Sequence, residues 1–249
     1  MAMAACSAFL FAADEPLPKA ETILDRSIEV TGGKAAYEKR KSEITTGTFE
    51  FSGKGVKGTI AIYSDISNNQ YTAVDIEGIG LIESGVYNGT VWESNPMQGT
   101  RLKEGIEKAD AIRDAAFNGP IRWRELYSKA ETTGIEDVNG EPAYKVVLTP
   151  KTGSPATMFF SKKSGLALKR TATVSNPMGE IPMEMMFSDY KDMSGVLMPT
   201  KMRQSGMGQE FEITITDQKV NAEIPKDRFV PPAEVQKLLA KPVAGSAAK

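Results

Sequence analysis

The sequence contains no histidine and a single cysteine, Cys6, among its 249 residues. Without histidine the chain cannot form a Ser-His-Asp triad, a histidine general base, an HExxH zinc site or an iron site of two histidines and a carboxylate. One cysteine excludes an intrachain disulfide and CxxC chemistry. These absences indicate no metal site and no cofactor, and we expect the protein not to be an enzyme.

A surplus of positive charge is also missing. Lys and Arg number 30 against 32 Asp and Glu, which gives a formal net charge of −2. Because phosphate binding needs an excess of basic residues, we expect no nucleic-acid partner. Aromatic residues make up only 8%, which argues against a stacking platform for bases or sugars. The remaining composition is that of a globular protein large enough for one all-β domain.

An apolar stretch opens the chain but is too short to span a bilayer. Its apolar residues give way to small ones and then to Asp14, which is typical of the hydrophobic region and cleavage end of a secretory signal. We expect residues 1–13 to be the remnant of such a signal. The segment around Cys6 also resembles a bacterial lipobox. Removal of Cys6 with a signal, its lipidation and a plain disordered N-terminus therefore stay open.

Helical periodicity occurs at the start and in the middle of the chain. Apolar residues at helical spacing predict an amphipathic helix over residues 19–31, and a shorter helix is predicted over about 34–41. Pro120 is predicted to start a further helix after Asn118-Gly119. One apolar stripe in the middle is formed by Leu102, Ile106, Ala109, Ile112 and Ala116.

The remaining segments alternate with a period of two, which predicts strands. Turn dipeptides such as Asn88-Gly89 favour tight hairpins, and short connections require antiparallel pairing. We predict a mainly β (α+β) fold. It is a single large curved antiparallel sheet, or incomplete β-barrel, of about 11–12 strands with helices covering the concave face. The predicted strands are 44–51, 59–64, 70–76, 81–87, 90–93, 131–138, 143–149, 156–161, 166–174, 181–190, 196–204 and 209–220.

No linker or repeat divides the chain. We therefore predict one domain over residues 14–232, followed by a C-terminal helix and disordered tail over residues 233–249. The motif GxGxxG at residues 53–58 precedes a strand rather than a helix, so it predicts a hairpin and not a dinucleotide site. The carboxylates of Glu180, Glu184 and Asp189 are interpreted as the solvated face of a strand.

Methionine is the most unusual feature. Eight of the 12 methionines fall between residues 178 and 207. Methionine side chains are unbranched and polarizable, so they fill irregular cores or line surfaces that adapt to ligands of variable shape. Both interpretations remain open: a core filled with flexible side chains, or an apolar groove for acyl chains.

The order of elements and turns over residues 19–232 resembles the bacterial outer-membrane lipoprotein-sorting proteins, the LolA/LolB-like superfamily. The segments that carry this resemblance are Thr31–Lys34, Thr46–Thr48, Gly78–Gly80, Tyr87–Trp92, Gly119–Trp123, Tyr144–Pro150, Ser188–Tyr190 and Ile224–Phe229. The resemblance implies an incomplete barrel with a helical lid over a hydrophobic cavity. It also implies transport of lipoprotein acyl chains or other lipids across the periplasm without covalent chemistry.

From the residues and the resemblance together, we expect a periplasmic carrier, chaperone or binding protein with an association with the outer membrane. Its partners would be lipid or lipoprotein acyl chains and membrane-bound donor or acceptor proteins. The alternative is an extracytoplasmic interaction or sensor module of the same fold with a filled core and no lipid cargo. The predicted lid residues are Ile23, Leu24, Ile106 and Ile112. The predicted cavity residues are Ile60, Ile62, Val74, Ile76, Trp92, Met158, Phe160, Met183, Met185, Phe187, Met198 and Met202.

Overall fold

The computed structural model describes residues 16–176 and 179–240. The predicted signal segment with Cys6, and the predicted tail from residue 241 onward, lie outside these residues. Within them, no helix is both long and apolar enough to cross a membrane.

One antiparallel sheet of 13 strands dominates the described part of the chain. The period-two pattern predicted this single antiparallel sheet, with about 11–12 strands. The first six strands are β1 (Ser42–Phe51), β2 (Lys57–Asp65), β3 (Gln70–Ile76), β4 (Gly80–Tyr87), β5 (Thr90–Asn95) and β6 (Gly99–Leu102). The other seven are β7 (Tyr127–Val138), β8 (Glu141–Pro150), β9 (Ala156–Ser161), β10 (Ala167–Asn176), β11 (Gly179–Met193), β12 (Val196–Gly206) and β13 (Gln209–Val220).

The sheet consists of two meanders joined where the first strand meets the last. The strand order is β6-β5-β4-β3-β2-β1-β13-β12-β11-β10-β9-β8-β7. β1 and β13 pair from Glu43↔Val220 to Phe51↔Phe211, with a bulge between Thr46 and Gly47. The terminal strands β6 and β7 do not pair with each other, so the barrel is incomplete.

Within the described residues, five helices accompany the sheet: α1 (Ala20–Val30), α2 (Lys34–Glu38), α3 (Gly105–Asp114), α4 (Trp123–Leu126) and α5 (Ala233–Leu239). A short 3-10 segment, Gly119–Arg122, precedes α4. The predicted first helix is confirmed almost to the residue. The predicted middle helix starts later, because Leu102 ends β6, a strand that the sequence pattern missed.

The sheet is strongly curled, and α3 demonstrates it. This ten-residue helix contacts both β5 and β10. In a flat sheet eight strand spacings would separate these two strands by roughly 38 Å, whereas a helix of this length spans only about 15 Å. The face that carries α3 must therefore be concave, and it brings the two meanders towards each other.

Two small cores form where helices cover the flanks of the concave face. On one flank, α1 and Trp123 pack against Val146, Leu148 and Phe160 of β8 and β9. On the other flank, Ala111 and Ala115 at α3 pack against Val86 and Val91 of β4 and β5. These two cores therefore bury the flanks of the concave face and do not extend to its middle.

The convex face carries its own cover on the first meander. After β13 the chain places the guanidinium of Arg228 over the rings of Tyr63 and Tyr71, at 4.7 and 5.4 Å from their centroids. Helix α5 then contacts β6, and Val235 of this helix is fully buried. This arrangement explains how Trp92, which lies beside Tyr71, becomes buried on that face.

Candidate functional site

The middle of the concave face is an apolar surface that spans β11 to β3. One row of directly paired residues runs across six strands: Phe187, Met202, Ile213, Phe49, Gly58 and Ile76. Directly paired residues share a face, so the neighbouring rows can be assigned in the same way. We call the whole surface the concave apolar strip: Phe49, Phe51, Ile60, Ile62, Val74, Ile76, Met183, Met185, Phe187, Met202, Phe211, Ile213 and Ile215.

The strip is not sealed like a core. Phe49, Ile60 and Ile76 are buried at its base, but all of its other side chains remain partly exposed. The buried clusters on this face lie under α1 and α3, beyond both sides of the strip. A contiguous apolar surface of this kind that stays partly exposed is typical of a ligand-binding groove or an interaction site.

Three phenylalanines hold the strip together at the point where the meanders join. The ring of Phe49 lies 5.0 Å from that of Phe51 and 4.9 Å from that of Phe211. Phe51 and Phe211 remain half-exposed at the end of the sheet where β1 ends and β13 begins. The strip therefore has one apolar, open end.

The other end of the strip is polar and buried. Arg40 is 2% exposed and donates to Glu43, to Gln218 at 3.3 Å and to the sulfur of Met198 at 3.0 Å. Glu43 in turn accepts from the hydroxyl of Thr45 at 2.8 Å. Since a buried charge needs a partner, Arg40 and Glu43 depend on each other, and they close this end of the strip.

The structure brings eight of the predicted cavity residues into the concave apolar strip. They are Ile60, Ile62, Val74, Ile76, Met183, Met185, Phe187 and Met202. Met198 lies at the polar end against Arg40. Met158 and Phe160 share the face, but they belong to the core beneath α1.

Trp92 does not join this group. It pairs with Gly85 and lies beside Tyr71, whereas Val91 and Val86 point to α3. Since neighbouring residues of a strand face opposite ways, Trp92 lies on the convex face, which corrects the prediction for this residue.

The four predicted lid residues divide into two pairs. Ile23 and Leu24 of α1 are buried against the sheet. Ile106 and Ile112 of α3 are 52% and 37% exposed, and Ala111 and Ala115 make the apolar contact of this helix instead.

Helix α3 is held to both meanders by polar contacts. At its first turn, Glu107 accepts from Arg101 of β6 at 2.7 Å, and Arg101 also contacts Glu93 of β5 at 2.6 Å. The hydrogen bond from Arg101 lowers the pKa of Glu107 from its ordinary value, against the effect of burial. These contacts fix the start of α3 to the first meander.

The second half of α3 is fixed to the other meander. The carboxylate of Asp110 accepts from the backbone N–H of Ser154 at 2.7 Å, and Arg113 donates to the carbonyl oxygen of Ser154 at 3.1 Å. Asp114 forms an ion pair with Arg170 of β10 at 3.0 Å. Helix α3 therefore bridges the gap that the missing β6–β7 pairing leaves.

Two surface depressions lie mostly outside the strip, and Met183 is the strip residue that borders the larger one. The larger, of about 710 Å³, is bordered mostly by polar residues of β9 to β13, among them Thr157, Thr171, Glu184, Ser205 and Glu210. The smaller, of about 330 Å³, lies between the start of β1 and the segment Ile224–Phe229. Residues 16–176 and 179–240 contain no cluster of three or more Asp, Glu, His or Cys side chains that could hold a metal ion.

Comparison with solved structures identifies the fold. A LolA superfamily protein from Nitrosomonas europaea aligns with a TM-score of 0.57 and 12% identity, over 86% of this chain and 99% of the other. A DUF1329 family protein from Desulfovibrio piger aligns with a TM-score of 0.56 and 15% identity, over 84% and 96%. No protein family model matches the sequence, and no curated protein matches it significantly.

The protein therefore has a LolA/LolB-like fold, and the resemblance noted in the sequence is confirmed at that level. Such low identities show the fold alone, since one fold serves several functions. The features that bear on function are the concave apolar strip and helix α3, which crosses it.

Proposed function

We propose that the protein is a non-covalent binding or carrier protein for the acyl chains of a lipid or lipoprotein, which it holds on the concave apolar strip. The observation that carries this proposal is the partial exposure of ten apolar side chains in the middle of a curled sheet whose helices bury only the flanks. A protein with a filled core would bury these side chains.

The energetics support acyl chains as the ligand. Burial of a methylene contributes about 0.8 kcal/mol, so roughly ten methylenes supply about 8 kcal/mol before the entropic costs of binding. The three methionines of the strip, Met183, Met185 and Met202, can adjust to chains of different shape. Affinity without a specific polar contact suits a protein that must also release its cargo.

Helix α3 provides a route for entry and release. Its contacts with the sheet are ion pairs, hydrogen bonds and two small alanine side chains, and its exposed isoleucines are not committed to a core. Such contacts separate more easily than a large apolar interface. We infer that α3 moves away from β9 and β10 when cargo enters.

The same proposal includes a location and partners. An exported carrier of acyl chains works in the periplasm, between membrane-bound donor and acceptor proteins. Such a carrier needs no catalytic group. The carboxylates Glu184 and Asp189 are exposed or partly exposed on the sheet and serve no reaction in this account.

A titration with a fluorescent fatty acid tests the proposal. We expect saturable binding that Met185→Gln weakens by roughly tenfold, because it places an amide in the apolar strip. The matched control is Glu184→Gln, one residue earlier and on the opposite face, which should bind like the unchanged protein. Native mass spectrometry of gently purified protein should show added lipid mass. Absence of both probe binding and lipid mass would favour the interaction or sensor module.

A further inference from the structure

Hairpin turns emerge at both ends of the sheet, and three of those at one end carry or adjoin large exposed apolar side chains. Because neighbouring strands run in opposite directions, the β1–β2, β3–β4, β5–β6, β8–β9 and β12–β13 turns emerge at this end. Phe51 and Phe211, the open end of the concave apolar strip, lie at this same end. The β2–β3, β4–β5, β7–β8 and β11–β12 turns emerge at the other end, where Arg40 and Glu43 lie.

Large apolar side chains are exposed at the open end. Met97 in the β5–β6 turn is 72% exposed, Met207 in the β12–β13 turn 64%, and Leu81 next to the β3–β4 turn 45%. We call these three residues the apolar turn row. At the opposite end the two-residue turns are Asn88-Gly89, Asn139-Gly140 and Ser194-Gly195, and Ile66 is the exposed apolar residue of the β2–β3 turn.

Met207 occupies a backbone conformation that disfavours it. Met207-Gly208 is a two-residue turn in which both residues have positive φ, 52° and 70°. Asn-Gly is the preferred pair for such a turn, and Asn tolerates positive φ better than other non-glycine residues. Seven other non-glycine residues in the described part of the chain have positive φ, and they are five Asn, one Asp and one Ser. Folding alone would therefore select Asn at this position.

We propose that the apolar turn row docks onto a lipid bilayer surface, so that the open end of the strip faces the membrane. The three side chains lie on separate hairpins, and adjacent hairpins are about 10 Å apart. A protein partner would need a separate pocket for each, whereas the interface of a bilayer accepts isolated apolar side chains at any lateral spacing. Lys54 lies in the β1–β2 turn, which is placed between the β3–β4 turn and the β12–β13 turn at this end of the sheet. Its positive charge suits anionic headgroups.

Docking at this end brings the strip to the source of its ligand. Phe51 and Phe211 are four residues or fewer from the turns that would touch the lipid, so an acyl chain would pass from bilayer to strip with little exposure to water. The passage of an acyl chain rests on the proposed function, whereas the exposure and the backbone conformation of Met207 are independent of that function.

Co-sedimentation of the full chain with vesicles of phosphatidylethanolamine and phosphatidylglycerol tests the proposal. The double variant Met97→Asn/Met207→Asn should lose affinity by roughly tenfold or more, because two apolar anchors are removed. Met207→Asn should also raise the melting temperature, which a misfolded variant would not do. Ile66→Asn, at the opposite end, should bind like the unchanged protein. Equal binding by the double variant, or equal loss in Ile66→Asn, would overturn the proposal.

A local probe excludes a contribution from other parts of the chain. In a Cys6→Ser background, an environment-sensitive dye attached at Gln98→Cys should shift to shorter wavelength on vesicle addition, and a dye at Ser67→Cys should not. A shift at residue 67 alone, or at neither, contradicts the proposal. Fatty-acid binding is measured on the same variants: retained binding without docking leaves the proposed function standing, and docking without fatty-acid binding removes the proposed function alone.

Discussion

The rings of Phe49 and Phe211 lie 4.9 Å apart and join the first strand of the sheet to the last. They are separated by 162 residues in the sequence, and the β1–β13 pairing to which they belong brings these distant parts of the chain together. It also forms the base of the concave apolar strip, where both meanders contribute side chains.

Phe49→Ala should therefore destabilise the whole sheet rather than one hairpin. Phe49 is 6% exposed, and truncating a buried phenylalanine costs about 3–5 kcal/mol. Urea unfolding followed by circular dichroism would measure the loss. Thr48→Ala, an exposed neighbour on the opposite face, should change the free energy of unfolding by less than about 0.5 kcal/mol. A similar loss in both variants would show that the contact does not join the meanders.

Gly85→Ala tests the placement of Trp92 on the convex face. A Cβ added at Gly85 would lie 2.6 Å from the indole nitrogen of Trp92, so the ring must move. We expect a loss of about 1–3 kcal/mol and a red shift of tryptophan emission. Gly134→Ala in β7 is the control, because a Cβ there meets no atom within 4 Å. Unchanged stability and emission in Gly85→Ala would place Trp92 elsewhere.

Asp110→Ala should loosen α3 from the second meander. The substitution removes the acceptor for the Ser154 N–H and leaves the buried Arg113 with less compensation. A local cost of about 2 kcal/mol corresponds to roughly 30-fold faster amide exchange within α3. Hydrogen exchange with mass spectrometry would detect this. Glu125→Ala, which breaks an exposed ion pair with Arg122, should leave α3 exchange unchanged.

The attachment of α3 to the first meander should depend on pH. The hydrogen bond from Arg101 lowers the pKa of Glu107, so ionised Glu107 stabilises the folded state. That contribution is complete above the ordinary glutamate pKa and is lost as the pH falls through the lowered value. The melting temperature should fall between about pH 5 and pH 3, and less steeply in Glu107→Gln. The pKa of Asp25 is also lowered, by the hydrogen bond from Arg124. Asp25 therefore contributes to the pH dependence of the melting temperature in both proteins. Identical slopes would refute the assignment to Glu107.

Local patterns were sufficient for the hairpins and for much of the site. Alternation along β2, β3 and β11 placed Ile62, Val74 and Met185 on apolar faces, and turns such as Asn88-Gly89 fixed the strand boundaries. Strand β6 was missed because its four residues, Gly99–Leu102, are too few to show a period of two.

The pairing of β1 with β13 could not be predicted from local patterns. Phe49 and Phe211 each belong to a recognisable apolar face, but no local signal links the first strand to the last, so the predicted cavity does not include them. Alternation also shows only which residues share a face, not which face becomes concave. For that reason the predicted cavity includes Trp92, although its side chain lies on the other side of the sheet.

The most direct test of the account maps where an acyl chain binds. A photoreactive fatty acid would be crosslinked to the purified protein and the modified residues identified by mass spectrometry. We predict crosslinks at residues of the concave apolar strip, such as Met185, Met202 and Ile213, and their loss when unlabelled fatty acid competes. Crosslinks confined to the convex face around Glu184 and Trp92, or none that competitor removes, would contradict the central claim.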